Sequence, residues 1–137
     1  MVKKRFTAII QARTGSKRLP NKIFYKYNNI SFLELLVRRL KNSSKLDDII
    51  ISTSSKKKDK KIVKLAKKLD IKFFRGSETD VIDRFYRTAK LFRLKNIVRI
   101  TADCPIIDPK IVDSLIKIFS KDKFDYVTNT MPPTFPD

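Results

Sequence analysis

The chain has 137 residues, 42% of them hydrophobic, with 32 Lys plus Arg against 14 Asp plus Glu and no histidine. This is enough apolar material for one domain with a core, and it argues against a disordered chain. The missing histidine excludes Ser-His-Asp and Cys-His catalysis and His-ligated zinc, and the single cysteine, Cys104, excludes an internal disulfide or a thiolate cluster.

No apolar run approaches the roughly 18 residues of a membrane-spanning helix. The basic start, Met1 to Arg5, lacks the apolar stretch of a signal peptide, so a cytoplasmic protein is expected. The net charge of +18 is open to two readings. It suits a basic nucleic-acid-binding module. It equally suits a sequence rich in Lys, Ile, Asn and Phe whose lysines are solvated surface.

Phe6-Thr7-Ala8-Ile9-Ile10 reads as a buried strand. The stretch Gln11–Lys22 follows, with Arg13, Lys17, Arg18 and Lys22 as cations, no acid, and Gly15 and Ser16 as small residues. Such a loop is either a phosphate cradle or a solvated basic turn. Ser31 to Glu34 reads as a capping box, and Leu33, Leu36, Val37 and Leu40 recur at helical spacing. Asp48 to Thr53 is a second strand. A second helix spans about Asp59 to Leu69, with Ile62, Ala66 and Leu69 inward and Lys60, Lys64, Lys67 and Lys68 outward. The preceding run Lys56-Lys57-Lys58 reads as solvated loop.

Ile71 to Phe74 is a third strand, stopped by Arg75-Gly76-Ser77. Thr79 is expected to cap a third helix from about Asp80, with Ile82, Phe85, Ala89 and Phe92 inward and Asp80 paired to Arg84 along one face. Asn96 to Thr101 is a fourth strand. Asp108 caps a fourth helix with Pro109 at its first position and Val112, Leu115, Ile116 and Phe119 inward. Asp125 to Thr128 reads as a fifth, short strand, and the Pro-rich end from Met131 cannot be helical.

Strands alternating with helices predict a parallel sheet covered by helices, with ligands outside the carboxyl ends of the strands. The Gln11–Lys22 loop, the Arg75–Ser77 turn and the Ala102–Asp108 turn should therefore share one rim. Gly-x-Gly-x-x-Gly and Walker A loops are excluded, because the only glycines are Gly15 and Gly76. Asp103 is on that rim. On spacing alone it is as much a turn residue as a ligand for Mg²⁺, which takes one or two carboxylates and leaves the rest to water and phosphates.

Three blocks in order carry a resemblance: Ile10 to Lys22, Phe74 to Arg84, and Arg99 to Asp108, with Tyr126 to Thr130 fitting as well. The chain resembles the cytidylyltransferase family that includes CMP-KDO synthetase, most of all its spore-coat polysaccharide biosynthesis protein F branch. The resemblance implies a Rossmann-like three-layer sandwich with a mostly parallel sheet, the nucleotide-diphosphosugar transferase fold, incomplete at its C-terminus. It implies transfer of CMP from CTP to a sugar acid or related sugar in surface-polysaccharide synthesis, with Mg²⁺. Carried over, Ala12, Arg13, Gly15, Ser16, Arg18, Lys22 and Thr101 would bind nucleotide. Arg13, Lys22 and Asp103 would be catalytic, with Asp103 the metal ligand, and Arg75 and Ser77 would face the sugar. The glycine usual before the aspartate is Ala102 here, and the one often found before the lysine is Asn21. The resemblance also implies that residues 1–137 are the nucleotide-binding part of one domain, with a fragment that binds nucleotide without turning it over as the alternative to an active transferase. A second metal carboxylate, most of the sugar pocket and a homodimer surface would lie further on. Neither a nucleic-acid motif nor aromatics interleaved with the lysines accompanies the charge, which counts against the nucleic-acid reading. CTP and a sugar are the partners the resemblance implies.

Overall fold

A computed structural model describes residues 4–16, 18–121 and 123–133. Four strands, β1 (Phe6–Gln11), β4 (Asp48–Ser54), β5 (Lys72–Gly76) and β6 (Asn96–Thr101), form one parallel sheet in the order β5-β4-β1-β6. The helices between them are α1 (Phe32–Leu40), α2 (Lys60–Lys68), α3 (Val81–Leu91) and α4 (Pro109–Lys121). The alternation read from the sequence is therefore the architecture.

Side chains alternate across a strand, and the two faces of the sheet are covered differently. Ala8 and Ile10 of β1 and Ile49 and Ile51 of β4 point into one cluster with Leu33, Leu36, Val37, Leu40, Ile62, Ala66, Val112 and Ile116. That face thus carries α1, α2 and α4. The opposite face of β4 presents Ser52, whose hydroxyl meets that of Thr88 on α3 at 3.1 Å. The result is three layers, with the main core on the three-helix side.

α1 starts where Ser31 Oγ accepts from the Glu34 N–H at 3.2 Å. Only this half of the capping box forms. The Glu34 carboxylate turns to Arg38 at 2.7 Å and Lys68 at 3.6 Å. Before α1 stands a hairpin the sequence reading did not include, β2 (Lys26–Tyr27) against β3 (Ile30–Ser31). Its two turn residues, Asn28 and Asn29, have φ of 46° and 62°. Asparagine tolerates that left-handed region, which suits a two-residue hairpin turn.

Two expectations are corrected. Ile82 is not inward: it is 83% exposed, and the buried residues of α3 are Arg84 and Thr88. Asp125–Thr128 is not a strand. It lines, with β6 and α4, a groove of about 700 Å³ that runs along the open edge of β6. The last four residues, 134–137, lie outside the described residues. No helix among the described residues is long and apolar enough to cross a membrane.

Asp113 on α4 clamps the turn after α1. It accepts from the Ser43 hydroxyl, from Ser44 N–H at 2.9 Å and hydroxyl at 2.8 Å, and from Lys45 N–H at 3.1 Å. Burial raises its pKa, but the Ser43 hydroxyl and the Ser44 and Lys45 donors outweigh this and hold it below the ordinary value. A depressed carboxylate stabilises the fold above its unfolded pKa of about 3.9, and that stabilisation is lost as pH falls through the lower folded value. Asp113→Asn should lose about 1–2 kcal/mol of stability at neutral pH. In urea melts across pH, wild type and variant should converge only below about pH 4. A constant gap down to pH 2 would contradict the clamp.

Candidate functional site

The carboxyl ends of β1, β4, β5 and β6 share one rim. At its centre, Ala12 N–H donates to the Ser52 carbonyl at 3.1 Å and Ala102 N–H to the Gln11 carbonyl at 3.1 Å. Both alanines are buried, and these bonds aim the loops after β1 and β6 in the same direction. The first loop is closed by Asn21 N–H on the Thr14 carbonyl at 3.2 Å. Asn21 has φ 58° and opens a 3₁₀ turn, Lys22–Phe24, whose Ile23 is buried. Lys22 is thereby turned back over the rim, where its Nζ lies 2.8 Å from Asp103 Oδ1. Two cation and anion candidates separated by 81 positions are brought into direct contact.

The other expected residues fall as follows. Arg13 and Arg18 are exposed on the loop, Gly15 and Ser16 are half-buried, and Ser16 Oγ accepts from Leu19 N–H at 3.3 Å. Thr101 is exposed at the end of β6, beside the half-buried Cys104. Arg75 is engaged with backbone: it donates to the carbonyls of Ser54 at 3.3 Å, Ser55 at 2.6 Å and Lys56 at 3.2 Å, tying down the chain as it leaves β4. Ser77 shapes the entry to α3, its hydroxyl accepting from Asp80 N–H at 2.9 Å. Asp80, not Thr79, caps that helix by accepting from Asp83 N–H at 2.8 Å. Asp80 and Arg84 are not the helix pair expected from their spacing, because Arg84 turns under the rim and donates to the Ser77 carbonyl.

The rim has a floor that was not foreseen. Asp59 is fully buried, and its carboxylate accepts from Thr14 N–H at 2.9 Å, from Thr14 Oγ1 at 2.6 Å, and from the Ser54 hydroxyl. Burial raises its pKa, yet the Ser54 and Thr14 donors and the nearby Lys58 bring it below the ordinary carboxylate value. Lys58, read as solvated, pairs with Glu78 at 2.5 Å. A Cβ on Gly15 would lie 2.7 Å from Lys58 Nζ and 3.2 Å from Glu78 Oε1, so the loop backbone passes directly against this pair. The hydrogen bond from Lys58 holds the Glu78 carboxyl below its usual range. Arg84 is fully buried, and its Nε and Nη2 have no hydrogen-bond partner among the described residues. Burial first, then the neighbouring Arg13, lowers its pKa. Gly76 makes room for it: a Cβ there would meet the Phe74 ring at 2.7 Å and Arg84 Cγ at 3.1 Å. An aspartate at the first turn of a helix and a cation within a strand-end motif were the available signals for Asp59 and Arg84. Reading Arg84 as the helix partner of Asp80 hides it, and Asp59 reads only as the start of a helix.

Among the described residues, no three His, Cys, Asp or Glu side chains gather as a ready metal cage. Asp103 is a single carboxylate with a side chain 56% exposed. It suits a hard cation that arrives with phosphate oxygens and completes its shell with them.

Comparison with known proteins agrees with this geometry. The cytidylyltransferase family profile matches residues 7–136. An uncharacterized protein from Methanocaldococcus jannaschii is 50% identical over 120 residues, covering 88% of this chain and 49% of the relative. The spore coat polysaccharide biosynthesis protein SpsF of Bacillus subtilis is 35% identical over 122 residues, covering 86% and 51%. A solved cytidylyltransferase from Leptospira borgpetersenii superposes with a TM-score of 0.84 at 36% identity, over 88% of this chain and 51% of that one. A CMP-2-keto-3-deoxy-manno-octonic acid synthetase solved with CTP has the same fold, with a TM-score of 0.75 at 18% identity over 88% and 49%. The chain spans about half the length of the curated relatives it matches.

Proposed function

Because this chain belongs to the cytidylyltransferase family, we propose that its rim binds CTP and serves transfer of CMP to a hydroxyl of a sugar acid or related sugar in surface-polysaccharide synthesis. The observation that carries this reading is the contact between Lys22 and Asp103. Each is the other's partner in the free protein. A nucleotide triphosphate with its divalent cation offers both a replacement, phosphate oxygens for the ammonium and the cation for the carboxylate. The CTP held by a synthetase of the same fold supports the choice of nucleotide.

In this reading Ala12 and Thr101 flank the base, and Arg13, Gly15, Ser16, Arg18 and Lys22 receive the triphosphate. Asp103 holds Mg²⁺, which neutralises phosphate charge when bound. A hydroxyl oxygen of the sugar forms a new bond to the α-phosphorus, the bond from that phosphorus to the α–β bridging oxygen breaks, and pyrophosphate leaves. The hydroxyl proton passes to solvent. Positioning and charge stabilisation suffice for such a transfer, so neither a covalent residue nor a histidine is required. Arg75 and Ser77 frame the loops with their bonds to backbone and would face the sugar. A cytoplasmic setting and a homodimer belong to the same proposal.

Titration calorimetry with CTP, ATP and GTP in Mg²⁺ tests it. CTP should bind at least about fivefold more tightly than either purine nucleotide, a difference of about 1 kcal/mol. Equal affinities for all three would overturn the reading.

A further inference from the structure

Asp59 stands at the N-terminal boundary of α2, where an aspartate ordinarily accepts from the first N–H groups of its own helix. Here it makes no such cap bond. Its carboxylate instead accepts from the N–H and hydroxyl of Thr14, 45 positions earlier, and from the hydroxyl of Ser54. Thr14 lies between Arg13 and Gly15. With its N–H and hydroxyl both turned down to Asp59 and the residue only 5% exposed, Arg13 is left on the outer side and Gly15 is pressed against Lys58 and Glu78. Asp59 is the last residue of a 3₁₀ turn, Lys57–Asp59, that runs directly into α2, so its backbone is not in the extended conformation of a cap and its carboxylate is free to hold the loop.

We propose that Asp59 is a positioning residue for the nucleotide loop, fixing Thr14 so that Arg13 and Gly15 are already set before the triphosphate arrives. The proposal rests on the nucleotide reading above. Its physical basis is preorganisation: a loop already held in place does not have to be ordered on binding, so more of the contact energy remains as affinity. Bonds to a buried charge are also the strong kind, so the lock is firm.

The test uses the whole chain with Asp59→Asn, Thr14→Val and Thr14→Ser. Amide hydrogen exchange at Thr14 and Gly15 reads the lock directly, without nucleotide. CTP titration in Mg²⁺ reads its consequence, at a temperature where thermal melting shows each variant folded. Asp59→Asn should strip protection from the Thr14 amide and weaken CTP binding about tenfold, the scale expected for lost bonds to a charged acceptor. Thr14→Val should weaken binding in the same direction, Thr14→Ser should spare it, and Val on top of Asn should add little. If Asp59→Asn does not fold, the Thr14 pair carries the test. Loss of Thr14 protection with CTP affinity unchanged within twofold would overturn the positioning role while leaving the nucleotide reading intact. Wild-type protein that does not bind CTP at all would overturn the nucleotide reading, and the positioning role with it, even with Thr14 protected.

Discussion

Lys22→Ala is expected to weaken binding of CTP with Mg²⁺ about a hundredfold, the equivalent of about 2–3 kcal/mol for a charge-assisted contact to phosphate. Two losses combine. In the proposed complex the triphosphate would lose one of its cations, and Asp103, 2.8 Å from Lys22 Nζ in the free protein, would be left as a bare negative charge facing it. The same change should hardly alter the melting temperature. The Lys22–Asp103 pair is partly solvated, with side-chain exposures of 27% and 56%, and such pairs contribute about 0–1 kcal/mol to stability. Asp103→Asn should act differently: it should weaken CTP binding in Mg²⁺ but not in EDTA, because the carboxylate matters only when a cation accompanies the nucleotide. Calorimetry on both variants with and without the metal separates these effects. A loss under threefold for Lys22→Ala would mean that the contact is only a surface ion pair.

Arg13→Lys keeps the charge and should still lower CTP affinity by about thirtyfold, because a planar fork is replaced by a hydrated point charge. Arg13 is exposed at the mouth of the loop and close enough to the buried Arg84 to depress its pKa. Asp59 and Glu78 partly offset the buried Arg84, so the cation that faces solvent at the mouth of the loop is Arg13. Lys64→Ala, on the exposed face of α2, is the matched control for loss of bulk positive charge. Lys58 would be a poor control, since it pairs with Glu78 against Gly15. Equal effects of Arg13→Lys and Lys64→Ala in titrations at one salt concentration would reduce the loop to a solvated basic turn.

The strands and helices were legible because each carries its own periodicity. Leu33, Leu36, Val37 and Leu40 repeat at helical spacing, and all four are fully buried. The rim was legible for a topological reason, since loops at the carboxyl ends of adjacent parallel strands must converge. What failed in the reading of α3 was Ile82, which is exposed while Phe85, Ala89 and Phe92 are half-buried. Ile82, Phe85, Ala89 and Phe92 make an apolar stripe, but the sheet face above β4 offers a polar partner, Ser52, and takes Thr88 and Arg84. Periodicity reports which residues are apolar, not which face the sheet presents. The hairpin at Asn28 and Asn29 was legible through its paired asparagines and went unused. The lock between Asp59 and Thr14 joins residues 45 apart, and nothing local marks it. Asp125–Thr128 has strand composition, but composition supplies no partner, and it settles along a groove instead.

Strand β6 ends the sheet, and its outer edge has no partner strand among the described residues. Six residues of parallel edge, Asn96–Thr101, offer backbone donors and acceptors to any other extended chain. Ile97, 41% exposed, adds an apolar side chain to it. Left bare, such an edge is a template for filaments. Two features oppose this. Arg99 stands near the middle of the strand with its guanidinium over the Phe85 ring, so antiparallel pairing of two copies about that point would juxtapose like charges. The net charge of +18 adds repulsion between whole molecules. A surplus of lysine and arginine disfavours close approach of like-charged molecules, an effect that weakens as salt screens it.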